Sequence, residues 1–267
     1  MTENPLNDRS VLSPVEILQL FIITFVFVAV FGAIAVLLGG KTLGLFSESL
    51  IILPAILFVW REKRPFFSTF RLKRVDGAIM LHSFAIGILL FILSDELDRI
   101  VTSVFPMPEI WMAAMQNLLQ IHSVTDAVVL IITAVILAGF AEEMLFRGLL
   151  LRTLEHYREP ASAIVLSSVF FAIVHFNPWT AIQITLLGLA LGYMAWKSHS
   201  ILPAVILHAC NNFFSITLMN LPEAFNTWYF TGAHVRWPWL IIAILAIGPV
   251  FLSFNRICNK NDRCPVE

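Results

Sequence analysis

Apolar segments long enough to cross a bilayer recur with little interruption along this chain, and no other feature narrows its fold as far. A transmembrane helix needs about 20 predominantly apolar residues, within a range of about 17 to 25. About eight segments meet that requirement: 17–38, 43–60, 77–94, 127–151, 161–176, 179–196, 201–220 and 239–254. Hydrocarbon offers no partner to a backbone N–H or C=O, so such segments satisfy themselves as helices. Composition agrees: 58% of residues are hydrophobic, 13% are charged and the mean hydropathy is +0.84, values of a membrane protein rather than a soluble domain. The expected fold class is all-α, an integral membrane bundle of about eight transmembrane helices. With no internal repeat and no linker long enough to divide the chain, residues 1–267 are expected to form one membrane domain.

The net charge of -1 gives no sign of nucleic-acid binding, and the lipid bilayer is the first partner implied. Where the charges sit is more informative. Lys and Arg accumulate on the cytosolic side of membranes, and Arg61, Lys63, Arg64, Arg71, Lys73 and Arg74 crowd the second connection. With eight alternating spans, Arg147, Arg152, Arg158, Lys197, Arg256, Lys260 and Arg263 fall on the same side, and both termini are expected in the cytosol. A compact chain without organelle signals suggests a multi-pass protein of a bacterial cytoplasmic membrane. The polar start of the chain precedes a segment too long for a signal-peptide core, so the first span reads as retained. Residues 95–126 are too polar to span, yet they hold Ile110, Trp111, Met112, Met115, Leu118 and Leu119. They suggest an amphipathic helix at the interface. The three cysteines, Cys210, Cys258 and Cys264, are too few and too scattered for a disulfide framework. The closing Cys264-Pro-Val-Glu267 places a cysteine fourth from the end, as in a prenylation box, but Pro and Glu are unusual there and the match reads as coincidence.

Three successive apolar segments carry groups that a span normally lacks: Glu142, Glu143 and Arg147 on the first, His175 on the second, His208 and Asn212 on the third. Charged groups in hydrocarbon are costly and turn toward a protected interior, where they commonly serve function. Residues four apart on a helix share a face, so Glu143 faces Arg147 in the favourable Glu-to-Arg order. Pairing keeps Glu143 ionised and leaves Glu142, about 100° away, without a partner in its own helix. Glu142 is thus the better general base, a desolvated carboxylate able to take and return a proton near neutral pH. His175 could share a water molecule with it. His208 and Asn212 share a face and could donate to a developing oxyanion or ligate a metal.

Each feature has a plainer explanation. Glu143 with Arg147 could be a structural ion pair, His175 a helix-end histidine beside Asn177 and Pro178, and His208 with Asn212 an interhelical hydrogen-bonding pair. Their coincidence on adjacent spans favours a site.

In order, Glu142-Glu143-x-x-x-Arg147, Phe171-x-x-x-His175 and His208-x-x-x-Asn212 resemble the three motifs of the CPBP intramembrane proteases, the group that includes the type II CaaX prenyl endopeptidases. The likeness covers residues 127–220, the expected catalytic core. It implies an eight-helix membrane fold and hydrolysis of a peptide bond in a membrane-associated or precursor substrate, a peptide or protein reached at the bilayer. The resemblance also implies that Glu142 activates water with the help of His175, that His208 and Asn212 stabilise the oxyanion, that Glu143 and Arg147 support the site and that Phe171 packs beside it. The family is commonly labelled metallopeptidase, and His175, His208 and one glutamate could supply three ligands to Zn²⁺. A metal-free glutamate mechanism suits these residues at least as well, because Asn212 is a poor zinc ligand and none of the seven histidines opens a His-Glu-x-x-His motif. The alternatives are a proton-coupled secondary transporter, which would show inverted repeats and paired helix breaks, and a non-catalytic immunity or scaffold protein keeping the fold. One geometric difficulty stands out, since counting 1.5 Å per residue separates Glu142 from His175 by more than about 10 Å in depth. A long, tilted fourth helix with Glu142 near its middle would remove it.

Overall fold

The computed structural model describes residues 9–263; the first eight residues and the closing Cys264-Pro-Val-Glu267 lie outside the described residues. Local sequence explains where the helices start and stop. Ser13 and Glu16 open helix α1 (Pro14–Ser49). The Glu16 N–H donates to the Ser13 hydroxyl at 3.2 Å and the Ser13 N–H to the Glu16 carboxylate at 2.7 Å, a reciprocal cap that satisfies two donors at the helix start. Helix α2 (Leu53–Arg61) runs back alongside, since Arg64 just beyond it reaches Glu16 and the carbonyls of Arg9 and Val11. After the single turn α3 (Phe66–Thr69), Asp76 caps helix α4 (Gly77–Val104) by accepting from the Ala78 N–H at 2.7 Å. Helix α5 (Glu109–Leu119) is short, and Ser123 caps the long helical run α6 (Val124–Tyr157). Helix α7 (Pro160–Ile173) starts on a proline, whose missing N–H is not needed there. Helices α8 (Ala181–Ser198), α9 (Leu202–Asn220) and α10 (Trp237–Arg263) follow. Between α9 and α10 a small antiparallel hairpin pairs Phe230 with Val235 and Thr231 with His234. It turns through Gly232, whose φ of 59° suits a residue with no Cβ.

Among the described residues six stretches are long and apolar enough to cross a membrane: Pro14–Ala35, Thr42–Arg61, Gly77–Val104, Val124–Tyr157, Leu202–Asn220 and Trp237–Asn261. The all-α membrane class holds, and the expected fifth and sixth spans are helices that fall short of this length or apolarity. The first of these is a helix of 14 residues, only about 21 Å at 1.5 Å per residue and short of hydrocarbon roughly 30 Å thick. The second is α8, whose Gln183, Thr185 and Lys197 dilute its apolar run. These two helices serve each other: Gly188 and Gly192 of α8 let Ser168 and Ile164 of α7 approach so closely that an added Cβ would meet them at 3.0 and 3.1 Å. That is small-residue packing, which in lipid replaces the missing hydrophobic drive between helices.

Helix α6 has the length the depth argument calls for. Its 34 residues span roughly 50 Å, more than the hydrocarbon thickness, and Glu142 lies near its middle.

Residues 95–104 depart from expectation. They continue α4 instead of leaving it, because their polar groups find partners: Asp95 meets Arg99 at 3.4 Å, and Glu96 accepts from the Val235 N–H and meets His234 Nδ1, each at 2.8 Å. The expected amphipathic helix is α5, with Ile110 and Trp111 exposed and Leu118 and Leu119 packed toward Leu45, Leu130 and Ile216. Arg147 is corrected too. It is the largest fully buried side chain among the described residues and belongs to no cytosolic loop, because its charge is spent inside the bundle on Glu143.

Candidate active site

The run α6 is not evenly wound. Ile131–Leu137 and Met144–Leu150 take π spacing and bracket the six α-helical residues Ala138–Glu143; π turns are uncommon and gather at functional sites. Glu143 and Arg147 are both fully buried, with Arg147 Nη1 2.9 Å from Glu143 Oε1. Arg147 also donates from Nη2 to the Gly188 carbonyl at 3.2 Å and lies over the Phe171 ring, 4.3 Å from its centre. A buried charge persists only when paired and hydrogen-bonded, and this arginine has a carboxylate, a carbonyl and an aromatic face.

His208 enters from α9. Its Nδ1 lies 2.9 Å from Glu143 Oε1 and its Nε2 4.0 Å from Glu142 Oε2. Glu143 already accepts from Arg147 and is therefore a carboxylate, so Nδ1 of His208 carries the proton it donates. Nε2 is left to face Glu142. Glu142 keeps 22% of its side chain accessible whereas Glu143 keeps none. The two neighbours have separate positions, one sealed into an ion pair and one reachable. Buried Oε2 of Glu142 takes no hydrogen bond from the described residues.

His175 sits just past the end of α7, in the turn that closes where Phe176 takes a φ of 49°. Its Nδ1 is 2.7 Å from the Phe171 carbonyl, which can only accept, so Nδ1 bears the proton and Nε2 is bare. No hydrogen bond joins His175 to Glu142 among the described residues. The link between second and third motifs is Phe171, whose ring meets His175 at 4.7 Å and His208 at 5.8 Å between centroids, both edge to face. Asn212, one turn after His208, donates from its amide to the Ala134 carbonyl at 3.0 Å.

All six candidate residues thus lie on α6, α9 and the end of α7. Glu143, Arg147 and His208 are in direct contact, Glu142 stands one small molecule away, and His175 and Asn212 are tied in through Phe171 and Ala134. Sequence reasoning passed over Gly188, whose signal was the Gly188-x-x-x-Gly192 spacing of close-packed membrane helices, and the Ala134 carbonyl, which no side-chain pattern could reveal. The zinc set of His175, His208 and one glutamate does not fit this arrangement. The Nδ1 contacts to Phe171 and Glu143 would leave each Nε2 free to ligate, but among the described residues no three His, Cys, Asp or Glu side chains converge as a metal ion requires.

The fold and site define a class: a multi-pass helical membrane protein with a sealed Glu143–Arg147 pair, a buried imidazole and a second, accessible carboxylate at its centre. Residues 124–214 match the profile of the Rce1-like family, described as type II CAAX prenyl endopeptidase Rce1-like. The matched stretch, about a third of the chain, carries all three motifs and supports the resemblance to the CPBP intramembrane proteases. No curated protein and no solved structure matches the chain.

Proposed function

We propose that the protein is an intramembrane endopeptidase in which Glu142 is the general base. Water lying between Glu142 and the scissile carbonyl gives a proton to the carboxylate as its oxygen bonds to the carbonyl carbon. The tetrahedral intermediate then expels the amine, which takes that proton back from Glu142 as the C–N bond breaks. His175, with Nε2 bare, accepts a hydrogen bond from the same water and orients it. His208 donates to the oxyanion from Nε2 in its imidazolium form, which Glu143 supports through Nδ1, and the second amide hydrogen of Asn212 joins it. Arg147 holds Glu143 charged and in place. The observation that carries this reading is Glu142, its side chain 22% accessible and its buried Oε2 4.0 Å from a histidine whose other nitrogen is fixed by a sealed Glu143–Arg147 pair.

The substrate is a peptide or protein that reaches the bilayer, and the protein resides in a cell membrane with both termini in the cytosol. Purified protein in lipid vesicles is expected to cleave a membrane-associated peptide that the Glu142→Ala variant leaves intact; equal cleavage by both would reject the assignment. A lone cysteine at Ser68 should be labelled from the cytosol and one at Asn226 from the opposite side, and the reverse pattern would overturn the orientation.

A further inference from the structure

The π segment Ile131–Leu137 lies directly before the two glutamates, and other helices hold two of its carbonyls. At its end the Ala138 N–H reaches back five residues to the Thr133 carbonyl and passes over Ala134, the acceptor that α spacing would have used. Asn212 of α9 donates to that passed-over carbonyl at 3.0 Å. The Ser49 hydroxyl, at the end of α1, shares its one proton between the Thr133 carbonyl at 3.4 Å and the Leu45 carbonyl at 3.3 Å. A buried carbonyl without a donor is costly, and a side chain that supplies one stabilises the winding that exposes it. Relaxing the segment to α spacing would rotate the following residues by roughly 100°, the step between neighbours on an α-helix. A turn of that size would carry Glu143 away from His208 and Arg147. The same stretch lies in van der Waals contact with α9, so such a turn would change that contact: a Cβ on Gly139 would lie 3.7 Å from the Ala209 nitrogen and 3.9 Å from its Cα.

The geometry points to Asn212 and Ser49 as positioning residues that pin the π winding of α6 and thereby set the rotation of Glu142 and Glu143 against His208. The effect on turnover rests on the endopeptidase reading; the effect on helix rotation does not. Ser49 lies outside the three motifs and outside the stretch matched by the family. For Asn212 the inference adds a second duty, since one amide hydrogen holds the helix while the other is left for the oxyanion.

The test reads rotation directly. In full-length protein whose native cysteines are replaced by alanine, Gly139→Cys and Ala209→Cys are introduced together and oxidised in lipid vesicles. Disulfide formation is expected with Asn212 and Ser49 present, to fall at least fivefold on adding Asn212→Leu and about twofold on adding Ser49→Ala. Against the native-cysteine background, Ser49→Ala is expected to lower kcat severalfold with KM unchanged, and Ser49→Thr, which keeps the hydroxyl, to restore it. Undiminished cross-linking in a folded Asn212→Leu variant overturns the proposal; if that variant does not fold, undiminished cross-linking in Ser49→Ala does so. If wild-type protein cleaves no peptide, the endopeptidase reading fails while the cross-linking result still decides the pinning.

Discussion

The molecule uses one arrangement of groups twice, with different results. At the centre, Glu143 and Arg147 pair four residues apart, His208 bonds the same carboxylate and the guanidinium covers Phe171. At the rim, Asp95 and Arg99 pair four residues apart on α4, His234 bonds the adjacent Glu96 and the Arg99 guanidinium covers Phe230, 3.8 Å from its centre. The central ion pair is the closer, 2.9 Å against 3.4 Å, and the surroundings differ more. Glu143 and Arg147 have no accessible side chain, whereas His234 at the rim is 53% exposed. Glu96 has both oxygens engaged, by His234 and by the Val235 N–H, and the cluster fastens the hairpin to α4. Burial and the nearby Asp95 charge push the Tyr229 phenol above its ordinary value, which keeps it neutral. At the centre a second carboxylate, Glu142, stands beyond the pair within reach of a small molecule. On the proposed function, a carboxylate, an arginine and a histidine that make a staple at the partly exposed rim make a reactive site when they are sealed beside one further carboxylate.

That comparison can be broken from either side. The largest effect belongs to Glu142→Gln, expected to lower kcat about 10²- to 10⁴-fold, the range general acid–base catalysis supplies, with thermal unfolding in detergent unchanged. Equal loss from Glu142→Gln and Glu143→Gln, with both fully folded, would erase the division between reachable and sealed carboxylates. Glu143→Gln is expected to act mainly on stability, costing about 3–5 kcal/mol because it leaves Arg147 as an uncompensated buried charge; denaturation of the purified variant measures this. His234→Ala at the rim should cost at most about 1 kcal/mol, as exposed pairs do, and leave peptide cleavage within twofold of wild type. A rim variant that abolished cleavage would show that the two clusters are coupled.

Much of this was legible in sequence because lipid imposes simple rules. Helical class, the long α6 and the faces of Glu142 and Glu143 follow from apolar length and the i,i+4 rule, and the 22% accessibility of Glu142 against none for Glu143 agrees with the faces. Length failed for α7, where packing on α8 through Gly188 and Gly192 replaces the requirement that a helix cross the bilayer alone. Composition failed for residues 95–104, whose partners lie far along the chain in the hairpin at His234 and Val235. The π segments were invisible, since winding is decided by donors such as Asn212 arriving from another helix. So was the proximity of His208 to Glu142, which sequence assigned to His175.

The central claim is that the protein's own residues, with Glu142 as base, supply the chemistry. The direct measurement compares cleavage of one membrane-associated peptide by three samples: wild-type protein, wild-type protein stripped by a chelator with its metal content verified by elemental analysis, and Glu142→Gln. The account predicts that stripped wild type cleaves at the untreated rate and that Glu142→Gln does not cleave. Loss of cleavage on stripping, restored in proportion to one Zn²⁺ bound per chain, would contradict it.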